Sequence, residues 1–187
     1  MVSSLLAALL FAVGVQAAEL EGVQLEERAQ VDGQALELNG IGLRTRYFFK
    51  VYVAGLYLPH KASSAHTALE GAGPKRIVLV MLRDASAEQF VESIDYGLRA
   101  NNSEAQLAEA KPQVDELFAK IRAVSQAKEG MRIVLDYSPS SGNTTLFVDG
   151  EAQGAPMAGE AFFRALLRIW LGENPVQEDL KKMLLGG

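Results

Sequence analysis

In several parts of the chain, apolar and polar positions alternate or apolar residues run together. Both patterns are typical of β-strands. Residues 23–31 and 34–38 flank an Asp32-Gly33 pair, which predicts a hairpin with a type I′ turn. Asn39-Gly40 predicts a second turn, and one long strand is expected to follow over residues 43–58. Further strands are expected over residues 75–83, 131–137 and 144–148.

Apolar residues three and four positions apart predict helices in the middle and at the carboxyl end of the chain. Ser86 and Gln89 form a capping box at the start of one helix, and Asn174 and Gln177 predict another. Pro112 should kink or divide the second long helix. The helices are expected over 63–70, 86–99, from 103 onward, 161–171 and from 174 onward. Because strands and helices do not alternate strictly, we expect an α+β fold, with helices on one face of a large, mostly antiparallel sheet.

Residues 1–18 have the profile of a cleavable signal peptide. They carry no charged side chain, run apolar from Leu5 to Val15, and end in small residues at Ala17 and Ala18. The apolar run is shorter than the roughly 20 residues that a transmembrane helix needs. The sequence therefore predicts cleavage near Ala17 or Ala18 and one domain over 19–187. That domain is expected in the periplasm or outside the cell, without a stable membrane span.

The composition limits the chemistry that the domain can perform. The formal net charge is −5, which argues against nucleic acid as a partner, because phosphate binding needs a basic surface. Cysteine is absent, which excludes disulfides, thiol catalysis and thiolate metal sites. His60 and His66 lie in a polar stretch without a nearby pair of carboxylates. We expect neither a metal site nor another cofactor.

The predicted long strand has two chemically different faces, because alternate side chains point in opposite directions. Thr45, Tyr47, Phe49, Val51 and Val53 would form an apolar core face, and the other face would carry Arg44, Arg46, Phe48, Lys50, Tyr52, Ala54 and Leu56. The pattern leaves two interpretations open. The second face is exposed to solvent, or helices cover it and Arg44 and Tyr52 project into a partly dry cleft. In the second case the guanidinium needs an anionic partner.

This segment resembles a known family. Gly40-Ile41-Gly42-Leu43-Arg44 and the run YFFKVYVAGLYL over 47–58 are similar to the "GxGxR…KF…K…GxYL" region of chalcone isomerase and its relatives. Residues 76–90 and 160–172 resemble a strand with its following helix and the penultimate helix of that family. The resemblance extends over residues 36–185 and is greatest to the bacterial relatives that carry signal peptides. It implies an open-faced β-sandwich, in which helices cover one face of a large antiparallel sheet.

The resemblance also implies roles for particular positions. Arg44 aligns with the arginine that stabilises the substrate oxyanion in the plant isomerases, and Tyr52 aligns with a supporting threonine. Phe90, Gly97 and Phe163 stand where the enzymes have a catalytic tyrosine, an asparagine and a substrate-contacting serine or threonine. Phenylalanine and glycine side chains donate no hydrogen bond, so most of the polar chemistry of the isomerase is absent.

These substitutions favour a binding protein over an enzyme. An arginine and a tyrosine in an apolar cleft resemble the fatty-acid-binding branch of the family, in which such a pair holds the carboxylate. The ligand expected is a small amphipathic anion such as a fatty acid, and the predicted binding residues are Arg44, Tyr52, Phe48, Phe90 and Phe163. The alternative is an isomerase or intramolecular lyase acting on a chalcone-like or enone substrate, with Arg44 stabilising an oxyanion and Tyr52 donating a proton. A third possibility is an interaction module with a vestigial cleft.

Overall fold

A computed structural model of the protein describes residues 17–187. The signal peptide predicted at 1–18 therefore lies almost entirely outside the described residues, and its cleavage stays a prediction. Over residues 17–187, each helix is too short or too polar to cross a lipid bilayer.

The strands form one large antiparallel sheet and two small two-stranded pairs. They are β1 (Ala17–Leu20), β2 (Val23–Glu26), β3 (Arg28–Val31), β4 (Gln34–Arg46), β5 (Phe49–Leu58), β6 (Lys75–Met81), β7 (Ala85–Ser86), β8 (Gln126–Ala127), β9 (Arg132–Ser138), β10 (Asn143–Val148), β11 (Glu151–Ala152) and β12 (Met157–Ala158). The order in the large sheet is β11-β10-β9-β6-β5-β4-β3, with β12 also paired to β10. Outside it, β1 pairs with β2 and β7 pairs with β8.

The helices begin largely where the sequence predicts. They are α1 (Ala65–Glu70), α2 (Ala87–Asn101), α3 (Glu104–Val124), α4 (Glu160–Leu171) and α5 (Glu178–Leu184). The capping box of α2 is confirmed: Ser86 Oγ accepts from the Gln89 backbone N–H, and Gln89 Oε1 accepts from that of Ser86. The helix α3 continues undivided through Pro112, where the sequence predicts a kink or a division.

Two layers of apolar side chains lie on opposite faces of the sheet. The larger core lies between the sheet and helices α2, α3 and α4, and the helix layer covers this face alone. On the other face, Leu25 from β2 is fully buried against residues of β4, β5, β6 and β9. Tyr57 also lies there and donates from its hydroxyl to the Glu26 carbonyl at 2.9 Å. The predicted α+β architecture, with helices on one face of an antiparallel sheet, is confirmed.

The prediction of one long strand over 43–58 is wrong, and so is the turn predicted at Asn39-Gly40. The chain instead runs through Asn39 in β4, with a register shift between Leu38 and Gly40, and reverses at Tyr47 and Phe48. Asn39 is buried, and its amide satisfies the backbone of Ala62 and Leu184, so it serves a tertiary contact instead of a turn.

The capping box predicted for Asn174 and Gln177 is also wrong. Helix α5 begins at Glu178 after Gln177, whose side chain makes no capping bond. Asn174 instead donates from its side chain to the Ala100 carbonyl at 3.0 Å.

Helix α5 packs directly on β4, which is possible because two positions of β4 have no side chain. A Cβ atom on Gly40 would lie 2.1 Å from the Met183 carbonyl oxygen, and one on Gly42 would lie 2.7 Å from Leu180 Cδ1. The glycines of the Gly40-Ile41-Gly42 motif therefore allow the close approach that brings the start of α5 to Arg44.

Candidate functional site

A cavity of about 220 Å³ lies between the sheet and the helix layer. Its inner wall is buried and mostly apolar, and includes Leu79, Leu117, Leu135, Leu166 and Ile169. Its mouth is formed by exposed residues, among them Arg46, Tyr47, Phe49, Arg83 and Gln89. The cavity is thus apolar inside and carries polar and aromatic groups at its opening.

Arg44 lies half-buried on β4, where it lines the cavity. Its Nη1 donates to the Thr45 carbonyl and to Gln177 Oε1, the latter at 3.2 Å. Burial lowers the pKa of the Arg44 guanidinium, and the neighbouring Arg46 acts in the same direction. Within residues 17–187 no carboxylate forms an ion pair with Arg44. A partly desolvated cation therefore faces the cavity without a countercharge from the described residues.

Tyr52 lies directly opposite Arg44, as its partner on β5. It is 7% exposed, and its hydroxyl oxygen accepts a 3.0 Å hydrogen bond from Trp170 Nε1. Burial raises the pKa of the phenol, so the group is neutral at physiological pH. In the part of the chain that the structure describes, no hydrogen bond uses the hydroxyl hydrogen of Tyr52. The phenol can therefore donate into the cavity.

Gln177 holds Arg44 in place, whereas the sequence predicts that it caps a helix. Its Oε1 accepts from the Thr45 backbone N–H at 2.9 Å as well as from Arg44, and its Nε2 donates to the Leu43 carbonyl at 3.3 Å. These partners lie more than 130 residues away along the chain. Neither a motif nor the spacing of residues in the sequence could have indicated such a contact.

The mouth of the cavity is rich in unpaired cations. Neither Arg46 nor Arg83 has an ion-pair partner among the described residues. The guanidinium of Arg83 lies 4.6 Å from the centre of the Phe49 ring, a cation–π contact. Asp84, the carboxylate that lines the mouth, accepts from the Glu129 backbone N–H at 2.8 Å. Cations therefore outnumber carboxylates here, although the whole chain has a net charge of −5.

The structure brings three of the five predicted binding residues together. Arg44, Tyr52 and Phe90 all line the cavity. Phe48 does not, because it lies at the turn of the β4–β5 hairpin and is 83% exposed. Phe163 is 2% exposed and stacks on Tyr137 with ring centres 5.2 Å apart, in the core beside the cavity. Phe48 and Phe163 therefore lie outside the cavity that Arg44, Tyr52 and Phe90 line.

The wall of the cavity offers little for acid–base or metal chemistry. Phe90 presents a ring without a polar atom. Gly97 lies where α2 meets α4, since a Cβ there would lie 2.8 Å from Ile169 Cγ2. Among residues 17–187, no three histidine or carboxylate side chains lie close enough together to hold a metal ion. What the described site offers is a set of hydrogen-bond donors for an anion beside an apolar chamber.

Comparison with known proteins agrees with this architecture. A crystal structure of a fatty-acid binding protein of Arabidopsis thaliana superimposes with a TM-score of 0.71, covering 91% of this chain and 96% of its own at 14% identity. At that identity the likeness shows the fold. No curated protein sequence matches the chain. The profile of the chalcone isomerase-like family matches residues 17–186, which confirms the resemblance found over residues 36–185. The chain therefore belongs to the chalcone isomerase-like family.

Proposed function

We propose that this protein is an exported binding protein that holds a small amphipathic carboxylate, with a fatty acid the best candidate. The carboxylate would accept hydrogen bonds from Arg44 and Tyr52, and the acyl chain would fill the apolar cavity. The observation that carries the proposal is the half-buried Arg44, which faces the cavity without an ion pair among residues 17–187. The Thr45 carbonyl and Gln177 Oε1 accept hydrogen bonds from Arg44 but bring no negative charge to this partly desolvated guanidinium, and a ligand carboxylate would supply one.

The size of the cavity limits the length of the acyl chain that it can hold. Its volume of about 220 Å³ exceeds the roughly 150 Å³ of an engineered apolar cavity that binds benzene, and falls below the about 300 Å³ at which drug-sized pockets begin. Each buried methylene contributes about 0.8 kcal/mol before the cost of association. We therefore expect affinity to rise with chain length until the cavity is full, and to level off for longer acids whose ends lie at the mouth.

Binding without turnover is favoured by the groups at the family's catalytic positions. Phe90 and Gly97 offer no proton donor, and Phe163 lies outside the cavity. The protein of the same fold from Arabidopsis thaliana is itself described as a fatty-acid binding protein. Export follows from the predicted signal peptide at 1–18, whose profile also supports the bacterial branch of the family. Cell fractionation with sequencing of the mature amino terminus tests that part of the proposal.

An isomerase is the second candidate, and one observation favours it. Arg44 and the neutral Tyr52 together could stabilise an oxyanion and donate a proton to an enolate-like intermediate. In that case chalcone cyclisation should be measurable and should fall in the Arg44→Gln variant. Detectable turnover that depends on Arg44 would replace binding with catalysis as the function.

Trp170, the single tryptophan of the chain, lines the cavity and reports on ligand binding by its fluorescence. We would titrate the protein with dodecanoate and with dodecanol, which lacks the carboxylate. Arg44→Gln should weaken dodecanoate binding about tenfold or more, because hydrogen bonds to charged groups contribute about 1.5–3 kcal/mol, and should leave dodecanol binding nearly unchanged.

Arg28→Gln is the matched control. Arg28 is exposed on β3, lies outside the cavity, and forms no ion pair with a described residue. Equal loss of affinity in both variants, or equal loss for the acid and the alcohol, would refute carboxylate recognition by Arg44.

A further inference from the structure

The β4–β5 hairpin ends in an exposed cluster, here called the aromatic tip, which consists of Arg46, Tyr47, Phe48 and Phe49. We propose that the aromatic tip docks on the surface of an anionic lipid bilayer and turns the mouth of the cavity towards the membrane. The passage of an amphipathic acid from bilayer to cavity rests on the proposed function, whereas docking itself does not.

The exposure of three consecutive aromatic side chains is the first argument. Tyr47 is 87% exposed, Phe48 83% and Phe49 47%. The rings of Phe48 and Phe49 contact each other, with centres 4.5 Å apart. Tyr47 and Phe48 therefore bury little of their apolar surface in the fold of this chain. Aromatic side chains are favoured at the boundary between lipid headgroups and hydrocarbon, which is the surface that the tip would enter.

Charge complementarity is the second argument, and it selects an anionic surface. Arg46 lies within the tip, and Arg83 packs over the Phe49 ring beside it. Neither forms an ion pair among the described residues, whereas Lys50 on β5 is paired with Glu21 at 2.5 Å. Unpaired cations beside exposed aromatics attract acidic lipid headgroups. The formal net charge of the whole chain is −5, so the positive charge beside the tip contrasts with the charge of the chain as a whole.

Continuity with the cavity is the third argument. Arg46, Tyr47 and Phe49 belong both to the aromatic tip and to the mouth of the cavity, and Arg83 lines the mouth as well. When the tip enters the headgroup region, the opening therefore lies at the bilayer surface, where fatty acids partition. Phe48 belongs to the tip but does not line the cavity. This separation allows docking to be tested apart from ligand binding.

The test is sedimentation of the purified protein with vesicles. One set contains phosphatidylglycerol and phosphatidylcholine, and the other contains phosphatidylcholine alone. We expect binding to the anionic set and much weaker binding to the neutral set. Phe48→Ser should lower partition into the anionic vesicles by about tenfold, because it removes a large apolar group from the inserted surface. Tyr96→Ser is the matched control, since Tyr96 is 77% exposed on α2 and lies outside both tip and cavity.

Several results would overturn docking. These are an absence of binding to anionic vesicles, equal binding to both sets, or an equal effect of Phe48→Ser and Tyr96→Ser. A dimer that forms in solution without vesicle binding, and that Phe48→Ser abolishes, would instead assign the tip to a second copy of the chain.

Failure of docking and failure of the proposed function can be distinguished. Phe48→Ser should bind dodecanoate from solution as the unaltered protein does, by Trp170 fluorescence. Arg44→Gln should lose that binding yet still sediment with anionic vesicles.

Discussion

The indole N–H of Trp170 donates a 3.0 Å hydrogen bond to the hydroxyl oxygen of Tyr52, and this bond joins helix α4 to the sheet at the wall of the cavity. Both side chains are buried. The bond occupies one lone pair of the phenol and leaves its hydrogen free to donate towards the cavity, beside Arg44. Tyr52 therefore has a structural role through its oxygen and a proposed binding role through its hydrogen.

Tyr52→Phe should affect both roles. The substitution leaves the Trp170 N–H buried without its acceptor, which should lower the free energy of unfolding by about 1–3 kcal/mol. It should also weaken dodecanoate binding, because one donor is lost. Urea denaturation followed by circular dichroism measures the first effect. Tyr96→Phe, at a position that is 77% exposed, should change stability by less than about 0.5 kcal/mol, and a matching loss there would contradict the assignment.

Alkaline pH should destabilise the protein, in part through Tyr52. Burial raises the pKa of its phenol above the ordinary value of 10.0. Above about pH 10, the unfolded chain therefore releases this proton while the folded protein keeps it, so the free energy of unfolding falls as pH rises. Urea denaturation from pH 8 to 11 should show a steeper decline for the unaltered protein than for Tyr52→Phe. Tyr57, Tyr137 and Lys75, whose pKa values burial also shifts, are common to both proteins. Parallel profiles would contradict a buried, neutral Tyr52.

Much of the fold could be predicted because its signals are local. The Asp32-Gly33 turn has positive φ at both residues, 57° and 72°, as a type I′ turn requires. The signal for the Ser86 capping box likewise lies within four consecutive residues. The turn at Tyr47 and Phe48 has no such signal. Tyr47 adopts a φ of 56°, which bulky residues rarely take. The aromatic residues around it are typical of strands, so the sequence predicts no reversal of the chain there.

Because the chain reverses at Tyr47 and Phe48, Arg44 and Tyr52 share a face for a different reason from the one that the sequence predicts. Their even spacing predicts a common face on one continuous strand, whereas in the structure they are partners on two strands. A register shift between Arg44 and Thr45 brings them opposite each other, with Val51 as the extra residue. The contact with Gln177 depends on the packing of α5 on β4, and contacts between distant segments leave no pattern in a single sequence.

The two glycines of β4 should differ in their tolerance of alanine. At Gly40 the added Cβ would meet backbone oxygens of Met183 and Leu184, which can move only if α5 moves. At Gly42 it would meet side-chain atoms of Leu180 and Met183, which can adjust. From the usual cost of overpacking, we expect Gly40→Ala to lower the free energy of unfolding by about 3 kcal/mol and Gly42→Ala by about 1 kcal/mol. Urea denaturation of the two variants gives the order, and the reverse order would contradict close packing of α5 on β4.

Gln177→Glu should block the proposed carboxylate site, because the new side chain would itself pair with Arg44. A carboxylate at this position would lie where Gln177 Oε1 now accepts from Arg44 at 3.2 Å, and would form an internal ion pair with the guanidinium. A ligand carboxylate would then compete with a tethered one, so we expect dodecanoate affinity to fall about tenfold or more. Dodecanol binding should change little, because the apolar cavity is unaltered. Glu178→Gln, an exposed change at the next residue, is the control and should leave both affinities unchanged. If Gln177→Glu binds dodecanoate as well as the unaltered protein does, Arg44 does not receive the carboxylate.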